Sequence, residues 1–131
     1  MIIGLRYVTG SAFANSVYLA DCHGPKVLQY KPIENEYEFV NLLLKGESVR
    51  VLFSNDNFLF ILPQADLDEE AYQIDKKGEI TIRELDFYQG DNIRSGHAED
   101  SEGNIYFVFV EGNVLKFDPN SFKLSVLYNL H

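Results

Sequence analysis

The sequence predicts an all-β fold made of three copies of one four-stranded unit, each about 44 residues long. Three observations predict it. Strand-like segments bounded by turn residues run the whole length of the chain, and they recur in one register. No stretch of helical length keeps the i, i+3, i+4, i+7 apolar spacing. The composition also suits strands, with ten Phe and eight Tyr in 131 residues and hydrophobic residues at 46%.

In the first unit, Ile2–Val8 reads as a strand, followed by Ser16–Ala20, Lys26–Tyr30 and Glu36–Val40, where polar and apolar residues alternate. The second unit supplies Ser48–Phe53, Phe58–Leu62, Ala71–Asp75 and Glu79–Arg83. The third supplies a segment at about 92–96, then Ile105–Val110, Val114–Phe117 and Lys123–Tyr128. His23-Gly24-Pro25, Ser54–Asn57, Lys77-Gly78, Glu111-Gly112-Asn113 and Asp118-Pro119-Asn120 punctuate these runs with residues that favour turns. The first strand of each unit is read as the outer one and the next as the inner one.

The repeat is visible in side chains as well. Arg6, Arg50 and Arg94 are spaced 44 residues apart, each after an apolar residue. Asn15, Asn57 and Asn104 each stand just ahead of an apolar strand. Val27–Pro32 matches Val114–Pro119, while the middle unit has Ala71–Lys76 there without the proline. A four-stranded unit of this period is the signature of a propeller blade, so the expected fold is β-propeller-like. A barrel or a sandwich is the alternative. The whole chain, residues 1–131, is expected to form one domain, with repeats at about 1–44, 45–88 and 89–131.

Tyr30-Lys31-Pro32 followed by Tyr37, and Phe117-Asp118-Pro119 followed by Phe122, resemble the turn and trailing aromatic of degenerate kelch repeats. The resemblance implies an interaction scaffold that binds proteins through loops on one face. Closed propellers use about four to eight blades, and three leave two open edges. The expected resolution is a homodimer forming a six-bladed ring, with Ile2–Val8 completing the partner's third blade.

Composition limits the function further. Net charge is −9, from 11 basic and 20 acidic residues, against the basic footprint that nucleic acid requires. The middle third carries the largest share of it, at −5. One cysteine, Cys22, excludes a disulfide framework within one chain and the usual zinc patterns. Apolar runs fall well short of the roughly 20 residues of a membrane span, and the N-terminus lacks a signal-peptide core. The expectation is a soluble, cytoplasmic protein that binds neither nucleic acid nor membrane and needs no cofactor or metal.

Candidate sites are few. Asp66–Glu70 lacks the spacing of a calcium loop and reads as a solvated insertion. Cys22-His23 are adjacent, so on a strand their side chains point to opposite faces and form no nucleophile pair. His97 stands near Glu99, Asp100 and Glu102, the one segment with general-base chemistry; its plainer reading is a polar loop. The three arginines either line a shared anionic site or, in the plainer reading, pair with acids of neighbouring units. If the units are blades, the turns after their first strands share one face with the turns after their third strands. That places Ser11–Ala14, Asn55–Asp56 and Glu99–Gly103 beside Ile33–Asn35, Lys76–Gly78 and Asn120–Ser121. Asn55, Asp56, Glu99, Asp100 and Glu102 make this face acidic, and it is the expected surface for a protein partner of basic character. The function expected is a non-enzymatic interaction module. An acidic inhibitor or immunity-type protein is the alternative, and an enzyme using the His97 region a third reading.

Overall fold

A computed structural model describes residues 9–21, 24–64, 70–84, 97–108 and 112–130. Among these, every regular element is a strand: β1 Thr9–Phe13, β2 Ser16–Ala20, β3 Val27–Lys31, β4 Glu36–Val40, β5 Ser48–Ser54, β6 Leu59–Gln64, β7 Glu70–Ile74, β8 Ile80–Glu84, β9 Ala98–Glu99, β10 Ile105–Val108, β11 Asn113–Asp118 and β12 Lys123–Asn129. They form three separate four-stranded sheets, each an antiparallel run of consecutive strands, β1–β4, β5–β8 and β9–β12. This is the blade arrangement, and it sets aside the single barrel and the sandwich. The expected strand Ile2–Val8 with Arg6, the segment at 92–96 with Arg94, Cys22-His23 and Asp66–Glu69 all lie outside the described residues.

Local sequence explains the hairpins. Ala14 and Asn15 both take positive φ, 50° and 62°, and close β1 onto β2 with the twist that two-residue hairpins need. In the turns after the third strands, Asn35, Gly78 and Phe122 occupy one repeat position, each at positive φ. Asn and Gly tolerate this conformation; Phe does not do so readily. Phe122 is held there by burial among Phe60 and Phe117, and its amide donates to Asp118 O at 2.7 Å.

The core has two parts, one on each side of the middle sheet. Leu59 and Ile61 turn toward the first sheet, where they meet Phe13, Ala20, Val27 and Leu43. Phe60 and Leu62 turn toward the third sheet and meet Ile105, Phe107, Leu115 and Phe117. The middle sheet is therefore covered on both faces, which is why Leu59-Phe60-Ile61-Leu62 is an unbroken apolar run instead of an alternation.

Two expectations are corrected here. The first strand of each unit is not the outer one. β5 is buried at five of its seven residues, and β1 lies beside it: Thr9 Oγ1 accepts from Leu52 N at 2.9 Å and Ser54 Oγ donates to Ala12 O at 2.9 Å. The fourth strands are peripheral, with β4 exposed along nearly its whole length. Val49 and Leu52 face the first sheet and Val51 and Phe53 the third, so this run belongs in the middle, whereas Glu36–Phe39 alternates and belongs at the rim. The second correction concerns the third sheet. It has its own first strand, β9, paired through Glu99↔Ile105 and Ala98↔Tyr106, so it requires no strand from a partner.

Candidate binding face between the second and third sheets

Two first-to-second-strand hairpins build the site, and each is tied by one carboxamide or carboxylate. Asn55 Oδ1 accepts from the amides of Asn57 and Phe58, both at 2.9 Å. Asp100 Oδ1 accepts from the amides of Glu102 at 2.8 Å and Asn104 at 3.0 Å. Its Oδ2 accepts from Tyr106 Oη at 2.6 Å and Asn104 Nδ2 at 3.1 Å. These are side-chain turns that substitute for ladder bonds. Of the five acidic-face residues, Asn55 and Asp100 thus spend their polar atoms holding the hairpins.

Asp56, Glu99 and Glu102 are left to the surface, and they line one groove of about 430 Å³. Partial burial raises the Glu99 carboxyl above its ordinary range, and the charges of Asp56 and Asp100 push it the same way. That second effect shows Asp56, on the second sheet, close enough to Glu99, on the third, for the two to repel. The far wall contains Arg83, the one base among the described residues lining the groove. Its guanidinium lies over the Phe122 ring at 4.2 Å and donates to Gln73 Oε1 at 3.1 Å and Pro119 O at 3.3 Å. Sequence reasoning missed Arg83, because nothing in its own strand tells that it reaches across to the next sheet.

The other expected residues fall elsewhere. Ser11 and Phe13 are strand residues of β1, and the turn at Ala14-Asn15 lines a separate groove between the first and second sheets, with Asp75 to Gly78 opposite. Arg50 lies in β5 where the pairing register shifts, and burial lowers its pKa. The register passes over Arg50, from Val49↔Pro63 to Val51↔Leu62, and counted back from the hairpins Thr9 takes the position of Val51. His97 is half-buried with its ring edge-on to Phe53 at 6.4 Å, and burial pushes its pKa down. No three His, Cys, Asp or Glu among the described residues come together as a metal set.

The hairpin carboxylate gives a testable pH dependence. The Tyr106 hydroxyl, together with the other donors, holds Asp100 at about 2, below the ordinary 3.8. A depressed carboxylate adds stability that is present above the ordinary value and is lost as pH falls through about 2. Tyr106→Phe removes the largest cause, so the Asp100 titration moves up toward 3.8 and the stability that Asp100 loses in acid becomes smaller. Carboxyl-detected NMR titration with thermal melts between neutral pH and the acid limit checks this; an unmoved Asp100 midpoint contradicts it.

The fold defines the chain as a β-propeller-like domain of three consecutive blades, with grooves between neighbouring blades on the hairpin face. Comparison with solved structures agrees. A streptogramin B lyase is similar over 95% of this chain and 40% of its own, at 15% identity and TM-score 0.63. The virginiamycin B lyase of Staphylococcus aureus matches over 96% of this chain and 42% of its own, at 16% identity and TM-score 0.63. The extracellular domain of a hybrid two-component system from Bacteroides thetaiotaomicron matches over 95% and 17%, at 12% identity and TM-score 0.59. The chain therefore spans less than half the length of these similar chains, and at such identities the likeness is one of fold alone. No protein-family model and no curated protein matches the sequence. One expectation is overturned by these comparisons. The reading of the chain as non-enzymatic does not stand, since two of the similar structures are lyases and a fold that carries enzymes gives no ground for excluding catalysis.

Proposed function

We propose that this domain binds a protein partner through a basic segment laid in the groove between the second and third blades. The observation that carries the reading is the convergence of Asp56 with Glu99 and Glu102 from two different sheets into one groove. Like charges brought together on rigid hairpins repel, and a bound cation relieves that repulsion. A lysine or arginine side chain would meet three carboxylates there, while Gln73 Oε1 and the Pro119 carbonyl stay with Arg83. The net charge of −9 adds long-range attraction for such a partner. The kelch-like turns at Tyr30-Lys31-Pro32 and Phe117-Asp118-Pro119 support a protein as the partner class.

The test uses a lysine- and arginine-rich peptide as probe. Asp56→Lys, Glu99→Lys and Glu102→Lys combined are expected to weaken its binding by roughly 10-fold or more at low salt, and added salt should weaken binding to the parent. Asp100 and Asn55 are left untouched because their loss would undo the hairpins. Equal affinity of parent and triple variant, measured by calorimetry, refutes the proposal.

A further inference from the structure

We infer that the two outward faces of the three-blade body are the halves of a blade junction, and that a second copy of this chain covers both. Strand pairing fixes which residues are equivalent. Leu19↔Leu28, Ile61↔Tyr72 and Phe107↔Leu115 are the same pair in the three sheets. Val17↔Tyr30, Leu59↔Ile74 and Ile105↔Phe117 are the next pair along. In the second and third sheets both pairs are covered by the preceding sheet: Ile61, Leu59, Ile105 and Leu115 are all 0% exposed. In the first sheet the same positions have no preceding sheet among the described residues. Leu19 is 44% exposed, and with Leu28 and Phe39 it lines an apolar hollow of about 780 Å³.

The opposite faces obey the same rule. Ala20 and Val27 lie against the second sheet, and Leu62 and Ala71 lie against the third. Their equivalents in the third sheet, Val108 and Val114, pair with each other, and Val108 is 38% exposed. One open face is thus the kind each blade presents to its predecessor, and the other is the kind each blade presents to its successor. The body already contains this junction twice.

A second copy carries both missing halves at once. The third sheet of each copy would pack on the first sheet of the other, and the twofold repetition of that contact closes a ring of six sheets. Six lies within the roughly four to eight blades at which propellers close. Three do not reach it. A head-to-tail contact that closes in two steps also leaves no free face for open-ended growth. The junction described here is sheet face on sheet face, and it uses no exchanged strand.

Light scattering at micromolar concentration is expected to give twice the 15.0 kDa of the chain. Leu28→Lys and Val108→Glu should each yield a single-chain mass with the far-UV spectrum and cooperative melt retained. Mixing the two variants should restore the two-chain mass. In that pair one junction is native, and the other sets lysine against the glutamate-bearing face. A single-chain mass for the parent overturns the inference. So does a Val108→Glu variant that stays two-chain while Leu28→Lys does not, because that pattern means first sheet on first sheet. A mixture that stays single-chain overturns it as well. None of these outcomes depends on the acidic groove, which lies on the hairpin face.

Discussion

Phe53→Ala is expected to lower the free energy of unfolding by about 3–5 kcal/mol. Phe53 is 0% exposed and stands where four strands of two sheets meet. It stacks on Phe60 with centroids at 5.2 Å, and it receives Phe107 and Phe117 edge-on at 4.7 and 5.2 Å. Each such aromatic pair adds about 0.5–1.5 kcal/mol beyond the area it buries. Truncation also leaves a cavity between two sheets whose backbones are fixed by their own ladders, so the space cannot easily collapse. Phe53→Leu keeps most of the volume and should cost clearly less. Urea denaturation of the two variants against the parent measures the difference. A loss under about 1 kcal/mol for Phe53→Ala would mean that the second and third sheets do not close on this cluster.

The same cluster shows what was legible in the sequence. Four strands per unit and three units follow from periodicities and turn residues that are local properties, and the sheets are built from those runs. The placement of the first strand was less legible. Thr9-Gly10-Ser11-Ala12 has little strand character of its own and becomes β1 through its neighbours. Gly10 lies so near Leu19 that a Cβ there would sit 2.7 Å from the Leu19 side chain, and Thr9 and Ser11 bond across to β5. The arginine spacing drew attention to Arg50 as a repeat position, whereas hairpin register passes over it at a bulge and matches Thr9 to Val51. Spacing along the chain counts loop residues that strand register ignores.

At the candidate site, residue types pointed to an acidic face but not to the division of labour within it. Asp100 and Glu102 look alike in the sequence. Their roles separate only through Tyr106, which follows Asp100 by six residues and returns across the hairpin to bond it. Arg83 depends on contacts between sheets, which a single sequence does not encode in any local pattern.

Phe60→Ala and Ile61→Ala together are expected to remove most or all of the folded population at room temperature. The two residues are neighbours on β6, and strand alternation sends them to opposite sides. Phe60 is 0% exposed in the core shared with the third sheet, and Ile61 is 0% exposed in the core shared with the first. Phe60→Ala should cost about 3–5 kcal/mol and Ile61→Ala about 2–5 kcal/mol. Their combined loss is comparable to the total stability of an ordinary domain, about 5–15 kcal/mol. The middle sheet supplies half of each core, so weakening either core weakens the sheet on which the other rests. Each single variant should therefore still unfold in one transition, with near-UV and far-UV circular dichroism melting together at a lower temperature. In a linear array, by contrast, stability is nearly a sum of repeat and neighbour contributions, and a terminal unit can melt alone. Two separated transitions in Phe60→Ala, with the third sheet lost first, would show that the blades fold as independent modules and that β6 does not couple them.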